Sequence, residues 1–452
     1  MKRAALVVPV LFGSILAARI APPADVTVMP DVTIVDGTGR PSVAHRTLVL
    51  DGSTIREILP TSTVPQNLAG ARILHYEGKT VIPGLINGHG HIGITDGTTS
   101  MPENYNEKNI KRQLLQYEAY GVTTVMALGL NKDLVYALRE RQRQGIFPGA
   151  TLLTAGRGIG VPGGVPGMNV GPDQLYRPKT VSEARRAVHE MAAYHPNLIK
   201  IWVDDNLGKS SKPNMQVEAT VIDEAHREGL RVAAHIFYLA DAKELLRDGV
   251  DILAHSVRDK EVDSEFIELM KRHRAYYIPT LDLEEAFFIY ADQPRWLRSP
   301  FFLRGLQPSV KQMLLSPGYT AKLTADPATE KHRQFLKTAE HNVKAVLDAG
   351  IPVGFGTDSG AMPTRIQGFA EHRELQLLVD AGFTPLQALH SATGVNAKML
   401  EINSKTGTIE AGKSADLIVL GADPASDISN TEKILTIFHN GLQVKPIVHI
   451  KQ

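Results

Sequence analysis

The sequence predicts an α/β protein in which a (β/α)8 TIM barrel stands beside a small β-sandwich built from both chain ends. Three observations lead to this prediction. Apolar, strand-like segments alternate with helical stretches along the middle of the chain. Several of these strands follow a glycine that closes the preceding helix. Short strands occupy both ends of the chain, with Asp-Gly turns between those at the amino-terminal end. The competing fold, a doubly wound open sheet, gives no reason for polar residues at so many strand ends.

The amino-terminal segment has the layout of a secretory signal peptide. Lys2 and Arg3 precede an apolar run from Ala4 to Ala18, and further small residues follow. A membrane anchor is the alternative, but this run is shorter than the roughly 20 apolar residues that a span requires. We therefore predict a signal peptide at residues 1–21 and a secreted or periplasmic protein.

The predicted domain boundaries follow changes of pattern along the chain. Residues 22–80 consist of short strands, with hairpin turns at Asp36-Gly37 and Asp51-Gly52. The barrel is predicted over residues 81–402. Residues 403–452 return to short apolar strands, so we expect them to complete the sandwich that residues 22–80 begin.

The barrel strands are predicted from apolar runs between helical stretches. Their approximate cores lie at 81–91, 122–128, 150–155, 198–203, 231–235, 251–255, 276–281 and 352–357. A helix near 107–120 ends at Gly121, and Gly229, Gly249 and Gly350 repeat this arrangement before later strands. The active site of such a barrel lies at the carboxyl ends of its strands. The residues that end these runs are therefore the candidates for chemistry.

Two longer segments interrupt the alternation of strands and helices. Residues 156–171 are rich in glycine and predict a mobile loop over the barrel mouth. They lack the Lys-Ser/Thr pair of a phosphate-binding loop. Residues 282–331 are rich in aromatic and basic side chains. They are interpreted as a lid or subunit contact, or equally as a helical insertion packed on the barrel.

The composition narrows the classes of function. The chain of 452 residues has a formal net charge of +1, which gives no basis for a nucleic-acid or membrane-surface partner. It contains no cysteine, so a metal would have to be held by histidine, carboxylate or a less usual ligand. Once the signal peptide is removed, we expect no membrane association.

Polar side chains end five of the predicted barrel strands. Two histidines that are two residues apart on a strand share one face, and imidazole and carboxylate groups are preferred ligands of zinc and related metals. The groups of this kind at the strand ends are His89, His91, His235, His255 and Asp358. Of the later histidines, His372 and His390 are interpreted as surface positions on helices.

Lys200 is the unusual member of this set, because it lies in the apolar run Leu198-Ile-Lys-Ile-Trp202. A desolvated lysine loses its proton readily, and a neutral amine can take up carbon dioxide to form a carbamate that bridges two metals. The alternatives are a lysine that extends to the rim, or one that pairs with Asp204 or Asp205. Because histidines and an aspartate end the neighbouring strands, we favour the carbamate.

The chain resembles the amidohydrolase superfamily, in the branch of imidazolonepropionase-like and prolidase-like hydrolases. The resemblance covers nearly everything after the signal peptide. It rests on Pro83-Gly-Leu-Ile-Asn-Gly-His-Gly-His91, Ile199-Lys-Ile, His235, His255, Gly356-Thr-Asp358 and Gly407-Thr-Ile-Glu-Ala-Gly-Lys-Ser-Ala-Asp-Leu-Ile-Val419. Many members carry aspartate where this chain has Asn87, although imidazolonepropionase-like members often carry asparagine there.

The resemblance implies a binuclear metal centre with two divalent ions. One metal would be held by His89, His91 and Asp358, and the other by His235 and His255. An N6-carboxylated Lys200 and a hydroxide would bridge them. We expect zinc first, with manganese, cobalt and iron as alternatives. Asp358 would act as general base toward the attacking hydroxide and as general acid toward the leaving amine.

The implied activity is that of a secreted hydrolase of amide-type carbon–nitrogen bonds. Its substrate would be a small molecule such as a dipeptide (Xaa-Pro or similar), an N-acyl amino acid or a cyclic amide. The alternative keeps the fold but uses one metal and an unmodified Lys200, as in deaminases or imidazolonepropionase. Lactonase or esterase activity is a further alternative. A non-catalytic relative is less favoured, because all the ligand positions are filled.

The sequence does not identify the residues that recognise the substrate. Four side chains near predicted strand ends have the chemistry to receive a substrate carboxylate, but each is interpreted as solvated or structural: Arg157, Tyr238, Arg258 and Arg365. Homo-oligomers are common among the relatives that the chain resembles. No stretch of this sequence fixes a number of subunits.

Overall fold

The computed structural model of the chain describes residues 26–444, except 67 and 69. The predicted signal peptide at 1–21 lies outside the described residues, as do residues 445–452 of the predicted sandwich. None of the described helices is long and apolar enough to cross a membrane.

Strands and helices alternate through most of the described chain, and strands dominate its two ends. The strands are β1 (Val26–Ile34), β2 (Val43–Asp51), β3 (Thr54–Pro60), β4 (Arg72–Ile73), β5 (Thr80–Pro83), β6 (Leu85–Gly90), β7 (Thr95–Asp96), β8 (Thr99–Ser100), β9 (Val122–Ala127), β10 (Thr151–Thr154), β11 (Ile199–Trp202), β12 (Val232–His235), β13 (Ile252–Ala254), β14 (Tyr276–Ile278), β15 (Leu417–Leu420), β16 (Ile434–His439) and β17 (Leu442–Gln443). The predicted α/β class is confirmed.

The helices follow most of the strands in the middle of the chain. They are α1 (Glu107–Ala119), α2 (Leu134–Arg143), α3 (Val181–Ala192), α4 (Met215–Arg227), α5 (Leu239–Arg247), α6 (Ser264–His273), α7 (Leu281–Glu285), α8 (Ile289–Asp292), α9 (Pro300–Leu303), α10 (Pro308–Leu314), α11 (Pro317–Ala325), α12 (Ala328–Asp348), α13 (Phe369–Asp380), α14 (Pro385–His390) and α15 (Asn396–Met399).

The largest sheet contains strands from both ends of the described chain. Its order is β17-β16-β15-β5-β1-β2-β3, with β4 paired to β1. The two ends meet where β15 lies antiparallel to β5, which places Ile418 beside Ile82. Apolar side chains from both ends, including Leu48 and Leu417, pack in one buried cluster. The two ends therefore form one structural unit, while the exact domain boundaries stay a prediction.

Two further sheets are parallel throughout. One has the order β10-β9-β6 and the other the order β11-β12-β13-β14. Isolated bridges join Ile159 to Ile201, Tyr277 to Val353 and Gly90 to Ser359. The segment predicted as a strand at 352–357 forms no regular strand and is held through bridges at Val353 and Ser359.

The predicted strand at 81–91 is wrong as a single strand, because the chain divides it at Gly84. The Gly84 amide donates to the carbonyl of Asp416 in the large sheet, whereas the next amide, that of Leu85, donates to the carbonyl of Gly121. The chain thus changes its pairing partner within one residue. A Cβ atom at position 84 would collide with the side chain of Thr123, so glycine allows this close crossing.

Glycines that follow helices turn the chain into the parallel strands, as predicted. Gly121 after α1 has a φ of +80°, and Gly229 after α4 has a φ of +72°. Side chains other than glycine rarely adopt this left-handed conformation, which closes the last helical turn. The chain then enters β9 and β12, whose carboxyl ends lie at the candidate site.

The two long segments differ in structure. Residues 156–171 form a loop whose Ile159 amide donates to the carbonyl of Lys200 on β11, and whose apolar residues Val161 and Val165 pack with Trp202. Residues 282–331 contain most of α7 and all of α8 to α11, and they pack through a buried cluster that includes Phe302. Of the two interpretations of residues 282–331, the packed helical insertion agrees with this structure.

Candidate metal centre

His89 and His91 lie at the carboxyl end of β6, with their rings on the same side. The two ring centroids are 5.5 Å apart, and both side chains are almost completely buried. The Nε2 atoms of His89 and His91 lie 3.2 and 2.9 Å from Oδ1 of Asp358. The residue between the histidines has no room for a side chain, because a Cβ at Gly90 would lie 2.8 Å from the hydroxyl of Tyr117.

Asp358 joins the two histidines from the other side of the site. Its backbone amide donates to the carbonyl of His89 at 2.7 Å, and its Oδ2 is paired with Nη1 of Arg365. Burial alone would raise the pKa of Asp358, but the Arg365 guanidinium and the two imidazoles outweigh burial and hold the pKa well below its usual range. Asp358 is therefore a carboxylate at neutral pH, the form that binds metals.

His235 and His255 end the neighbouring strands β12 and β13. Their ring centroids are 4.5 Å apart, and the His255 ring lies 4.6 Å from that of His89. Burial lowers the pKa values of both side chains, so both are neutral imidazoles at pH 7. Nδ1 of His255 lies 2.7 Å from the hydroxyl of Thr280, and Nε2 of His235 lies 3.1 Å from Oδ2 of Asp204. Each ring has its other nitrogen left for a metal.

Lys200 lies on β11 and is fully buried. Its Nζ has no hydrogen-bond partner within the described part of the chain, and it lies 5.3 Å from the centroid of the Trp202 ring. Burial lowers the pKa of Lys200 to about 7, which makes a neutral amine accessible at ordinary pH. The lysine neither reaches the rim nor pairs with an aspartate, because its Nζ is buried without a partner among the described residues. Asp204 instead contacts His235, and Asp205 accepts from Tyr238.

The resulting donor set is suited to divalent metals. One ligand atom each from His89, His255 and Asp358 lie within 4.8 Å of one another, and His91 and His235 adjoin this group through the contacts above. Neutral imidazoles, one carboxylate and an unpartnered amine are nitrogen and oxygen donors of the kind that zinc, manganese or cobalt accept. The structure thus brings the six predicted residues together, while their role as metal ligands stays a prediction.

A second group of potential ligand atoms lies on helices α3 and α4. It comprises His189, Glu224 and Glu228. The group is largely exposed, and Arg185 and Arg227 approach the same Glu224 carboxylate at 3.7 and 3.0 Å. These cations already pair with Glu224, and Glu228 lies 2.7 Å from Nδ1 of His189, so the group is better explained as a network of surface ion pairs.

Glu371 on α13 is a site residue that the sequence analysis missed. It is fully buried, and its Oε1 accepts hydrogen bonds from Asn87 Nδ2 (2.6 Å), Thr357 Oγ1 (2.7 Å) and Ser359 Oγ (2.7 Å). Oδ1 of Asn87 in turn accepts from the backbone amide of His89 at 2.8 Å. One carboxylate therefore connects the strand of the histidines with the segment of Asp358. No motif in the sequence marks Glu371.

Three of the four possible carboxylate receivers have structural partners. Arg157 pairs with Asp133 at 2.6 Å, buried Arg258 pairs with Glu284 at 2.7 Å, and the Tyr238 hydroxyl donates to Asp205 at 2.8 Å. Arg365 differs, because it is bonded to Asp358 at the candidate centre. The sequence placed Arg365 near a predicted strand end but did not predict its ion pair with Asp358.

His372 corrects an expectation from the sequence. It does not lie on a helix surface but is fully buried on α13, with Nε2 2.8 Å from the carbonyl of Tyr120 and Nδ1 3.0 Å from the hydroxyl of Thr431. Burial lowers the pKa of His372 to about 4. These contacts give it a packing role rather than a place at the centre. His390 is half-buried, and its Nδ1 lies 2.7 Å from the carbonyl oxygen of Gly37.

Comparisons with known proteins agree with this arrangement. A sequence profile described as the amidohydrolase family matches residues 80–444. A solved structure from Bifidobacterium longum, provisionally described as a prolidase, matches with a TM-score of 0.75 and 27% identity over 94% of this chain and 96% of that one. An uncharacterized protein of Mycobacterium tuberculosis is 25% identical over 371 residues, which are 80% of this chain and 84% of the relative. A 5-methylthioadenosine/S-adenosylhomocysteine deaminase of Bacillus cereus is 37% identical over 101 residues, 21% of this chain and 23% of the deaminase.

Proposed function

Because the chain belongs to the amidohydrolase family, we propose that its clustered histidines, Lys200 and Asp358 form a binuclear metal centre that hydrolyses amide bonds. Membership of the family and the likeness to a prolidase make the chain a metal-dependent hydrolase acting on carbon–nitrogen bonds. The number of metals, their ligands and the substrate are our proposal.

The same proposal includes a closed (β/α)8 barrel. On one side, a bridge joins Ile159, in the loop that follows β10, to Ile201 on β11; on the other side, bridges join the segment 353–359 to β14 and β6. Residues 353–359 would then be the eighth strand, with Asp358 at its carboxyl end. The family likeness supports this architecture. Export of the protein is proposed as well, from the basic and apolar residues at 2–18.

The binuclear proposal rests on the burial of Lys200 and on the missing partner of its amine. A fully buried amine without a partner among the described residues is costly, and four imidazoles and one carboxylate end the neighbouring strands. Conversion of the amine to a carbamate would replace an unsatisfied donor by an anion that metals neutralise. A deaminase-like centre with one metal would leave this cost without compensation.

The chain's own residues would position the attacking water molecule and transfer its proton. When bound, the metals would lower the pKa of a water molecule and polarise the substrate carbonyl. Oδ1 of Asp358 would accept the proton released as the water oxygen adds to the carbonyl carbon, and would give it to the nitrogen as the carbon–nitrogen bond breaks. Arg365 holds Oδ2 and so restrains rotation of this carboxylate. The products would be a carboxylic acid and an amine.

We propose a dipeptide, an N-acyl amino acid or a cyclic amide as the substrate. The likeness to a prolidase over nearly the whole chain supports the first two classes. Deamination by a mononuclear centre is the second candidate, because a shorter stretch of 101 residues resembles a deaminase. The two candidates differ in metal content and in the chemical state of Lys200.

The test is elemental analysis of metals in protein purified without chelator. We expect about two metals per chain in the wild type and a loss of about one or both in Lys200→Ala, because the bridging ligand is removed. Lys271→Ala is the matched control, since Lys271 is an exposed lysine at the end of α6. Spectroscopy of the protein in isotopically labelled bicarbonate should show a carbamate in the wild type and none in Lys200→Ala. About one metal per chain, unchanged by the mutation, would favour the deaminase-like centre instead.

A further inference from the structure

Five aromatic rings form a continuous row that begins beside Arg365 at the candidate centre. Phe287 stacks on His332 with centroids 4.1 Å apart, and His332 meets Phe335 at 5.8 Å. Phe335 meets Phe237 at 5.0 Å, and Phe237 meets Tyr238 at 4.9 Å. We call these residues the aromatic row. Its members come from the segments after β12 and β14 and from the start of α12.

One end of the aromatic row contacts a residue of the centre in space, and the other end lies close to a candidate ligand along the chain. Tyr238 follows the candidate ligand His235 by three positions, and its hydroxyl donates to Asp205. At the other end, the Phe287 ring lies 5.2 Å from the guanidinium carbon of Arg365, which is bonded to Asp358. The row therefore lies along the carboxyl-terminal face of the strands, where a substrate of this fold would bind.

The exposure of the row distinguishes it from the core. Only Phe237 is buried, whereas Phe287, His332, Phe335 and Tyr238 keep part of their surface exposed. The row is nevertheless held in place, because Nδ1 of His332 lies 2.6 Å from Oε2 of the buried Glu284. Fixed aromatic rings with free surface beside a reaction centre are typical of a pocket for an apolar group.

Arg365 supplies a polar feature at the end of the row. The side chain is 5% exposed, and only Nη1 contacts Asp358. Its Nε–H is buried and has no acceptor among the described residues. A buried donor without an acceptor is costly, and an anionic ligand would satisfy it. A carboxylate bound to Nε of Arg365 would lie next to Asp358. In an N-acyl amino acid or a dipeptide, the α-carboxylate is close to the scissile bond between nitrogen and carbonyl carbon, so it could occupy this position.

We propose that the enzyme prefers N-acyl derivatives or dipeptides whose released amino acid has an aromatic side chain. The side chain would lie against the aromatic row, and the α-carboxylate would accept from Nε of Arg365. This inference rests on the proposed amide hydrolysis and specifies its substrate class. It differs from a small-residue or proline preference, which would leave most of the row uncovered.

The test compares hydrolysis of N-acetyl-L-phenylalanine, its carboxamide and N-acetyl-L-alanine by the metal-loaded full chain. We expect kcat/KM for the phenylalanine substrate to exceed that for the alanine substrate by about tenfold or more, since a buried apolar group discriminates to this extent. Phe335→Ala should remove most of this ratio, mainly through KM, and Phe335→Tyr should restore it. The carboxamide should be the poorer substrate in every variant. Tyr194→Ala is the control, because Tyr194 is an exposed ring stacked only on Tyr136, at 4.8 Å.

Calorimetric binding of the products L-phenylalanine and L-alanine separates the two proposals. Hydrolysis with equal kcat/KM for both side chains, or a ratio unchanged in Phe335→Ala, would overturn the aromatic preference and leave amide hydrolysis intact. A third outcome is that the wild type binds L-phenylalanine selectively, that Phe335→Ala abolishes this binding, and that no substrate is hydrolysed. This outcome would support the aromatic row as a binding surface and overturn the proposed reaction. Neither hydrolysis nor selective binding would overturn both.

Discussion

Three residues of the candidate centre adopt a backbone conformation that disfavours their side chains. His255, Thr280 and Asp358 have φ angles of +75°, +49° and +58°. For residues other than glycine, each such angle costs on the order of 1–3 kcal/mol. The contact between Nδ1 of His255 and the Thr280 hydroxyl, and the bond from the Asp358 amide to the carbonyl of His89, hold this geometry. The strain is concentrated where the ligands must point, which is typical of a preorganised site.

The contacts of Glu371 explain why position 87 carries asparagine. Oε1 of Glu371 accepts from Asn87 Nδ2 at 2.6 Å, while Asn87 Oδ1 accepts from the His89 amide. An aspartate at position 87 could still accept from His89, but it would place a second carboxylate oxygen against Glu371. Asn87 and Glu371 are therefore complementary, and we expect Glu371 to be a positioning residue for His89 and Asp358.

Exchange of donor and acceptor between Asn87 and Glu371 tests whether the two residues are complementary. Asn87→Asp should lower the free energy of unfolding by at least about 2 kcal/mol, because a buried carboxylate loses a donor and gains a like charge. It should also lower the metal content per chain. Adding Glu371→Gln should restore much of both quantities, because the new glutamine amide can donate to the carboxylate introduced at position 87. Denaturation in urea and elemental analysis measure the two effects.

The control for this exchange is Glu371→Gln alone. The single variant leaves the two amides of residues 87 and 371 facing each other, so it should be less stable than the wild type. If the effects of the two single substitutions simply add in the double variant, the complementarity is absent and Glu371 has no special relation to Asn87.

At the scale of elements, local patterns predicted most strands and their ends. The run after Gly121 and the run after Gly229 could be recognised because a helix-ending glycine followed by apolar residues is a local signal. His235 ends such a run, and in the structure its ring lies beside that of His255. The break of the strand at Gly84 could not be predicted, because it depends on hydrogen bonds to Asp416 and Gly121, which are distant in sequence.

The contacts of the candidate centre that escaped prediction are those of Glu371 and Arg365. Glu371 approaches from α13, and Arg365 approaches from the segment that follows Asp358. Neither residue is part of a periodic pattern or a spacing motif. A buried charge in an ordinary helical sequence becomes visible only when its partners, such as Asn87, are known in space.

Helix α4 contains a buried ionisable side chain, Glu218, that lies outside the candidate centre. This residue leads to a prediction of how stability depends on pH. Glu218 lies on the buried face of α4, and its Oε2 has no partner among the described residues. Burial raises its pKa from 4.5 to about 8. The folded state therefore binds one proton more than the unfolded state between these pH values, and stability should fall with rising pH by about 1.4 kcal/mol per pH unit.

Glu218→Gln should remove the contribution of Glu218 to this slope, because glutamine carries no charge at any of these pH values, whereas the contribution of Glu374, whose pKa burial also raises to about 8, should remain. The variant should unfold at higher urea concentration than the wild type near pH 8, and the difference should shrink toward pH 5. Glu268→Gln, at an exposed position of α6, is the control and should leave the slope unchanged. A difference in stability between wild type and Glu218→Gln that stays constant over this range would show that Glu218 is solvated or paired in solution.

At the scale of the whole molecule, the sheet formed by the chain ends is tied to the parallel strands. β15 pairs with β5, which leads directly into β6 and its histidines. A second connection runs through His439 on β16, whose Nδ1 lies 2.6 Å from Glu118 on α1 and whose Nε2 lies 3.0 Å from Thr151 on β10. The two ends of the chain therefore support the strands that carry the candidate ligands.

The candidate ligands themselves come from five parallel strands or strand-like segments, so metal binding should stabilise the whole molecule. The donors on β6, β11, β12, β13 and the segment of Asp358 meet only in the folded chain. A ligand that binds the folded state alone stabilises it by RT ln(1 + [L]/Kd), which is about 2.7 kcal/mol at a hundredfold excess over Kd. Removal of the metals should therefore lower Tm by several degrees, and readdition of zinc should restore it.

This last prediction can be checked by thermal denaturation before and after dialysis against a chelator, with the metal content measured on the same samples. His255→Ala should begin at a lower Tm and respond weakly to the chelator, because it lacks one of the central imidazoles. His75→Ala should respond like the wild type, since His75 is an exposed histidine beside Glu77. An unchanged Tm in wild-type protein that has lost its metals would contradict a centre built across these strands, because the folded state would then gain nothing from the ions that its buried donors are proposed to hold.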